Sequence, residues 1–276
     1  MPQDRFQELK LLFQSELWDG RKHYLDRMSL NDLINAYFAY PAIRVYLALS
    51  VIGAGLAFYW MESALPVILV ALVTPAFYAL SWYLLHRFVL HGRFLYKSPR
   101  TAALWKRIHF DHHQDPNDLE VLFGALPTTL PTILLITLPV GWILGGPAGA
   151  AAGMAMGMWI TCFYEFCHCI QHLAYTPRLP ILRRMKKLHM AHHFHNEQGN
   201  YGITNFLWDR LLNTYYSSAG EVLRSPTVFN LGYVSAEYEE FPWVADLSGL
   251  DVEKGEEKNP PKPPVHVEAG AEGGAN

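Results

Sequence analysis

Along this chain apolar and polar positions are sorted into long blocks rather than mixed. Residues 41–61, 65–85, 128–145 and 148–167 are nearly free of charge, and each approaches the ~20 apolar residues that carry a helix across a bilayer. Within each pair of blocks only residues 62–64 or 146–147 intervene. Links that short return the chain to the side it left. The pattern therefore predicts an all-α integral membrane protein with four transmembrane helices in two hairpins. Outside the blocks the spacing is that of amphipathic helices. Residues 3–18 place Phe6, Leu9, Leu12, Phe13, Leu17 and Trp18 near one side, predicting a helix that packs on a cytoplasmic domain or lies in the membrane interface. Ser29 followed by Asp32 reads as a capping start. Residues 102–113, 182–195 and 206–212 predict further helices, the first stopped by Pro116.

Basic residues orient the hairpins. Arg21, Lys22, Arg27 and Arg44 precede or open the first block, Arg87 to Arg107 follow the second, and Arg178 to Lys187 follow the fourth, while the two short turns carry none. By the positive-inside rule both termini are then cytoplasmic. The expectation is a multi-pass protein of a bacterial inner membrane or the endoplasmic reticulum. Three parts follow: a cytoplasmic amphipathic segment at 1–40, a membrane domain at 41–250, and an acidic tail at 251–276 whose Lys, Glu, Pro and Gly content reads as disorder.

Composition changes this picture little. The chain is 51% hydrophobic and 14% aromatic, and its net charge of −3 arises in the tail, so no basic field points to nucleic acid. Cys162, Cys167 and Cys169 crowd the end of the fourth block and read as unpaired packing thiols beside a reducing compartment. Gly149, Gly153 and Gly157, four apart, permit close helix contact.

Histidine supplies the candidate chemistry. Ten of thirteen fall between His86 and His193 in four clusters: His86 and His91; His109, His112 and His113; His168 and His172; His189, His192 and His193. Residues three and four apart share a helix face. Each HxxHH cluster therefore projects three imidazoles from one stripe, and His168 with His172 adds a pair. His86 and His91, five apart, stand about 140° apart on an ideal helix and need a distorted turn or a helix end, which Gly92 is placed to give. Ten imidazoles are too many for one metal ion and suit two; imidazole accepts iron, zinc, copper or nickel. All four clusters lie at or beyond the cytoplasmic ends of the second and fourth spans, so a cytoplasmic helical cap carrying a dimetal site is expected there.

His23 and His266 stand apart from these clusters, and His195 lies off the stripe of His189, His192 and His193. Asp118, Glu165 and Asp209 are candidate acceptors for the outer N–H of ligating imidazoles. For each a plainer reading stands beside it: a loop charge for Asp118, an interfacial acid for Glu165, a first-turn acid favoured by the helix dipole for Asp209.

HRFVLH, HFDHH, HCIQH and HMAHH, followed by YGITNFLWDRLLNTYY, resemble the fatty acid hydroxylase and sterol desaturase superfamily of membrane di-iron oxygenases, over roughly Trp82 to Tyr216. LHRFVLH and the segment after the last box look most like fatty acid 2-hydroxylases acting on sphingolipid acyl chains. The resemblance implies two iron ions held by the ten histidines, with O2 as co-substrate and zinc a competitor in a recovered protein. It implies hydroxylation of a fatty acid or sphingolipid chain, at the 2-position if that closer likeness holds. Eukaryotic members often carry a cytochrome b5 domain, for which the residues before His86 have no room; a separate donor is then expected, a cytochrome b5-like protein or a ferredoxin with its reductase. A desaturase, a sterol or carotenoid oxygenase, and a non-catalytic metal-binding membrane protein stay open as alternatives. One departure is visible: where the family has Gly-Thr, this chain has Asn213-Thr214.

Overall fold

The computed structural model describes residues 23–249, and among these every regular element is helical. The amphipathic stretch at 3–18, the tail at 251–276 and His266 lie outside the described residues.

α1 (Leu30–Ala39) starts at the expected cap. The Ser29 amide donates to Asp32 Oδ2 at 3.0 Å and the Asp32 amide donates to Ser29 Oγ at 3.2 Å, which satisfies two otherwise orphaned donors reciprocally. α2 (Pro41–Trp60) opens on a proline, where the missing N–H costs nothing. α3 (Ala64–Leu84) runs through Pro75 and continues as a π-helical turn, Leu85–Leu90. α4 is composite: Ala102–Trp105, a second π turn at Lys106–Phe110, then Asp111–Gln114. It ends where Asp115, held extended at φ −140° and ψ 76°, precedes Pro116. α5 (Leu119–Leu122), α6 (Leu126–His172), α7 (Pro180–Phe194), α8 (Leu207–Leu211), α9 (Ser235–Glu240) and α10 (Trp243–Ser248) complete the order.

Among the described residues, three helices are long and apolar enough to cross a membrane: Pro41–Trp60, Ala64–Leu90 and Leu119–His172. Where the apolar pattern predicts separate third and fourth crossings, the structure has one long helical run that breaks. Gly145 (φ −155°, ψ 23°) and Gly146 (φ 57°, ψ −144°) leave the helical region, the second in a conformation that favours glycine. The limbs on either side pack in antiparallel register, Gly141 on Gly149, Thr137 on Gly153 and on Gly157. A Cβ at Gly149 would stand 2.2 Å from the Gly141 oxygen, and one at Gly153 would stand 2.6 Å from that of Thr137. Spacing by four thus does what the sequence suggests: it lets two backbones touch.

The chain divides into two compact units. The first comprises residues 34–81 and 124–166 of the described chain. Its outward side chains are apolar, with Phe58 77%, Leu72 70% and Ile143 80% exposed, a surface suited to lipid and hazardous in water. Its inner polar groups are paired: Tyr78 Oη and Thr161 Oγ1 lie 2.7 Å apart, and the Tyr37 hydroxyl donates to the Cys162 carbonyl at 2.5 Å. In lipid no solvent would replace these bonds. Cys162, Cys167 and Cys169 are buried, as expected of packing residues.

The second unit comprises residues 23–33, 82–123 and 167–249. Its core joins Tyr96, Trp105 and Phe110 to Leu231, Tyr233, Tyr238 and Val244. The Tyr233 hydroxyl donates to the Phe241 carbonyl at 2.6 Å and accepts from the Ala245 amide at 3.1 Å, tying α9 and α10 to this core. All ten clustered histidines belong to the second unit.

Candidate metal centre

The π turn at Leu85–Leu90 settles how two histidines five apart meet. The His91 amide donates to the His86 carbonyl at 3.1 Å, an i→i+5 bond that widens the turn by one residue. Their rings then stand 4.9 Å apart and their Nε2 atoms 3.2 Å apart. His109 sits in the π turn of α4, ahead of His112 and His113 in the regular turn that follows. Helices α6 and α7 bring the i, i+4 pair and the second HxxHH as the sequence predicts.

The ten imidazoles form one cluster with two focal groups, nine of them buried and His91 half-buried. His86, His91, His109 and His192 offer ligand atoms all within 4.8 Å of one another; so do His112, His168, His172, His189 and His193, and so do His113, His192 and His193. His113 therefore stands between the groups. In the first, the Nε2 atoms of His86, His91 and His109 are 3.1, 3.2 and 2.9 Å apart. In the second, His112 and His168 are 3.1 Å apart and His172 and His189 2.9 Å. Two nitrogens bound cis to one ion at about 2.1 Å stand roughly 3.0 Å apart if it is octahedral and roughly 3.4 Å apart if it is tetrahedral. The spacings in both groups are close enough for the nitrogens of each to share an ion.

Proton positions follow from the outer partners. His86 Nδ1 lies 2.6 Å from the Tyr201 carbonyl, His192 Nδ1 2.7 Å from that of Gly199, and His113 Nδ1 2.8 Å from that of Val228. A carbonyl only accepts, so each Nδ1 carries the proton and each Nε2 presents a lone pair. The Nε2 atoms of His113, His192 and His193 are buried with no hydrogen-bond partner, an arrangement that costs free energy unless a metal takes the lone pairs. Burial, joined by repulsion between neighbouring rings, holds His91, His109, His112, His189 and His193 well below the ordinary histidine range, and pushes His113 down to about 3. Neutral imidazole is the ligating form. The donor set fits two transition-metal ions.

The outer partners of three rings are backbone groups. Backbone carbonyls, rather than the three carboxylates, meet the imidazole N–H groups just named. Asp118 caps α5, its Oδ1 accepting from the Glu120 amide at 2.9 Å. Glu165 accepts from the Gly124 amide at 3.4 Å within the first unit. Asp209 acts at one remove: it accepts from the amides of Tyr201 and Gly202 and from Thr214 Oγ1, each at 2.8 Å, and so fixes the loop whose Tyr201 carbonyl meets His86. Burial raises its carboxyl above the ordinary range, against the donors that lower it. Carbonyls suffice because they fix a tautomer without adding charge. Sequence spacing gives no signal for them, since every residue has one.

The same loop explains two further residues. Asn200, at φ 52°, lets the Gly199 and Tyr201 carbonyls face His192 and His86, and its side chain bonds both backbone groups of Tyr216. Asn213 occupies φ 56°, a left-handed position where glycine is favoured and asparagine tolerated, so the departure from Gly-Thr preserves the turn. Tyr201 itself stands edge-on to His86, His91 and His192 at 5.2–5.7 Å. His195 bonds the Val222 carbonyl at 2.9 Å and lies outside the three groups.

Fold and site together define an all-helical membrane protein with a buried histidine cluster able to hold metal. The chain belongs to the fatty acid hydroxylase family, whose model matches residues 68–214. It is 33% identical over 149 residues to the dihydroceramide fatty acyl 2-hydroxylase FAH2 of Arabidopsis thaliana, covering 50% of this chain and 59% of that one. It is 29% identical over 209 residues to FAH1 of the same plant, covering 73% and 78%. The ceramide very long chain fatty acid hydroxylase SCS7 of Saccharomyces cerevisiae is 33% identical over 136 residues, 48% of this chain and 34% of its own. The chain thus spans less than two thirds of FAH2 and about a third of SCS7. A solved structure of full-length scs7p, with only the hydroxylase domain visible, superposes with a TM-score of 0.59 at 24% identity, over 79% of this chain and 72% of that one.

Proposed function

We propose that this chain is a membrane-bound di-iron hydroxylase that converts a lipid acyl C–H to C–OH. Per turnover one O2, two electrons and two protons are consumed, one oxygen atom entering the lipid and the other leaving as water. The observation that carries the reading is the pair of imidazole groups, uncharged, buried and spaced as ligands around two ions. His86, His91, His109 and His192 would hold one ion and His112, His168, His172, His189 and His193 the other, with His113 between. Iron bound there supplies the oxygen chemistry that side chains lack. The chain's own part is to keep ten imidazoles neutral, aim their lone pairs and exclude water.

The relatives' names support a ceramide-type acyl chain, oxidised at its 2-position, as substrate. Both limbs of α6 are taken as crossings, giving four in all, with termini and histidines on the cytoplasmic side of a bacterial inner membrane or the endoplasmic reticulum. Electrons come from a separate protein of the cytochrome b5 or ferredoxin kind. Asp209 braces His86 through the Tyr201 backbone, and Asp118 and Glu165 stay candidate acceptors for the outer N–H of ligating imidazoles. Zinc fits the same nitrogens, so metal analysis belongs to the test.

The test is lipid mass spectrometry on cells supplied with each donor in turn and expressing wild type, His112→Ala, His192→Ala or His195→Ala. A lipid gaining one oxygen with wild type and His195→Ala, and absent with the other two, is the expected result. A lipid losing two hydrogens instead makes the chain a desaturase. No new lipid from iron-loaded protein with any donor favours the non-catalytic alternative.

A further inference from the structure

Beyond the ligands and the loop held by Asp209, a second segment reaches the cluster from far along the chain. Residues 222–229 are fastened to the end of α7: His195 Nε2 donates to the Val222 carbonyl at 2.9 Å, Asn196 Nδ2 donates to that of Leu223 at 2.8 Å, and the Ser225 amide donates to the His195 carbonyl at 2.8 Å. Between these ties lies Glu197, which is 3% exposed. Its Oε1 accepts from Ser225 Oγ at 2.9 Å and from Thr227 Oγ1 at 2.6 Å. The next residue, Val228, turns its carbonyl to His113 Nδ1 at 2.8 Å, and Gln114 Nε2 donates to the Phe229 carbonyl at 2.5 Å.

We infer that Glu197 is a positioning residue for the metal centre: by gathering Ser225 and Thr227 it sets the strap that fixes the tautomer and aim of His113. The inference rests on reading His113 as a ligand. Its other nitrogen, Nε2, is buried without a partner and lies within 4.8 Å of the ligand atoms of His192 and His193, one from each focal group. His113 thus stands where the two groups adjoin, and its one free lone pair would serve a single ion there. A carboxylate buried here is costly unless its hydrogen bonds serve something. Glu197 Oε2 has no hydrogen-bond partner, so the side chain's hydrogen bonding runs through Oε1 to Ser225 and Thr227. Glu197 also couples two boxes, since it follows the HxxHH of α7 by four residues and acts on the HxxHH of α4.

The experiment is cobalt(II) titration of the purified, metal-stripped full-length chain, followed by the visible absorption bands that report nitrogen coordination. Glu197→Ala should weaken cobalt binding about tenfold, as loss of an outer partner commonly does, and should alter the same band that His113→Ala alters. Thr227→Val should act in the same direction and carries the test if Glu197→Ala does not fold. The double variant should be no weaker than Glu197→Ala, since both remove one network. Glu197→Gln, whose amide oxygen still accepts both hydroxyls, should restore the wild-type band. A wild-type band and affinity in Glu197→Ala and Thr227→Val, or a Glu197→Gln as impaired as Glu197→Ala, would overturn the assignment. If His113→Ala itself leaves the titration unchanged, the ligand reading of His113 falls and the strap's role with it; a responsive His113→Ala beside a silent Glu197→Ala sinks the strap alone.

Discussion

His86 Nδ1 lies 2.6 Å from the carbonyl oxygen of Tyr201, 115 positions away in sequence. The orientation of an imidazole in the first histidine box therefore depends on a loop that follows the last.

That loop is held by Asp209, which makes Asp209→Ala informative. The change strands the Tyr201 and Gly202 amides and Thr214 Oγ1. It should lower stability by about 3 kcal/mol, as loss of hydrogen bonds to a charged acceptor does, and weaken metal binding roughly tenfold. Denaturant unfolding of the detergent-solubilised protein and metal titration would read the two effects separately. Asp209→Asn, which keeps an acceptor oxygen, should fall between.

Acid should unmake the site before alkali does. Burial and mutual repulsion depress His109, His112, His189 and His193 below the ordinary value, so the unfolded chain binds protons that the folded one refuses. Stability contributed by these groups is full above about pH 6.5 and is lost as pH falls below it toward the depressed values. The metal-free protein should therefore lose melting temperature steadily below about pH 6, with metal displacing the loss to lower pH. A melting temperature independent of pH between about 4 and 7 would contradict the histidines' neutrality.

Lys186 offers the opposite window. Its ammonium is buried beyond the end of α6, donating to the Leu173 carbonyl at 2.5 Å and to the Tyr175 carbonyl at 2.9 Å, and burial lowers it to about 8. Between that value and the ordinary 10.5 the unfolded chain holds a proton that the folded one releases, so stability rises with pH across the window. Lys186→Met should flatten that rise and, by leaving two carbonyls unmet, destabilise the protein at neutral pH. Unfolding measured at a series of pH values checks both.

Contact between the limbs of α6 predicts a steric penalty. A Cβ at Gly153 would meet the Thr137 carbonyl at 2.6 Å and one at Gly157 would meet Thr137 Cγ2 at the same distance. Gly153→Val should cost about 1–3 kcal/mol, the usual price of overpacking. Gly55, with nothing within 4 Å of a built Cβ, serves as the control: Gly55→Ala should leave thermal unfolding unchanged.

Much of this molecule is legible in its sequence because the governing interactions are local. Apolar runs become helices at Pro41–Trp60 and Ala64–Leu84, and the Ser29–Asp32 box starts α1. The glycines spaced by four meet a facing backbone. The HxxHH stripe of α7 needs only the period of a helix, whereas that of α4 begins in a π turn; the ten histidines of the four clusters are the ten that the structure gathers.

What tertiary structure decided is whatever depends on residues far apart. The spacing of five in HRFVLH asks for a distorted turn or a helix end; that it is a π turn is seen where His91 must face His86 and His109 together. Asp118, promising beside a histidine box, caps α5, because a short acidic side chain at a helix start finds backbone N–H groups nearer than any ring. His192, His86 and His113 meet carbonyls of Gly199, Tyr201 and Val228, groups that every residue owns and only a folded loop can aim. Residue type fixed which atoms are able to bind metal; the path of the chain fixed which of them meet, and which backbone oxygens hold them there.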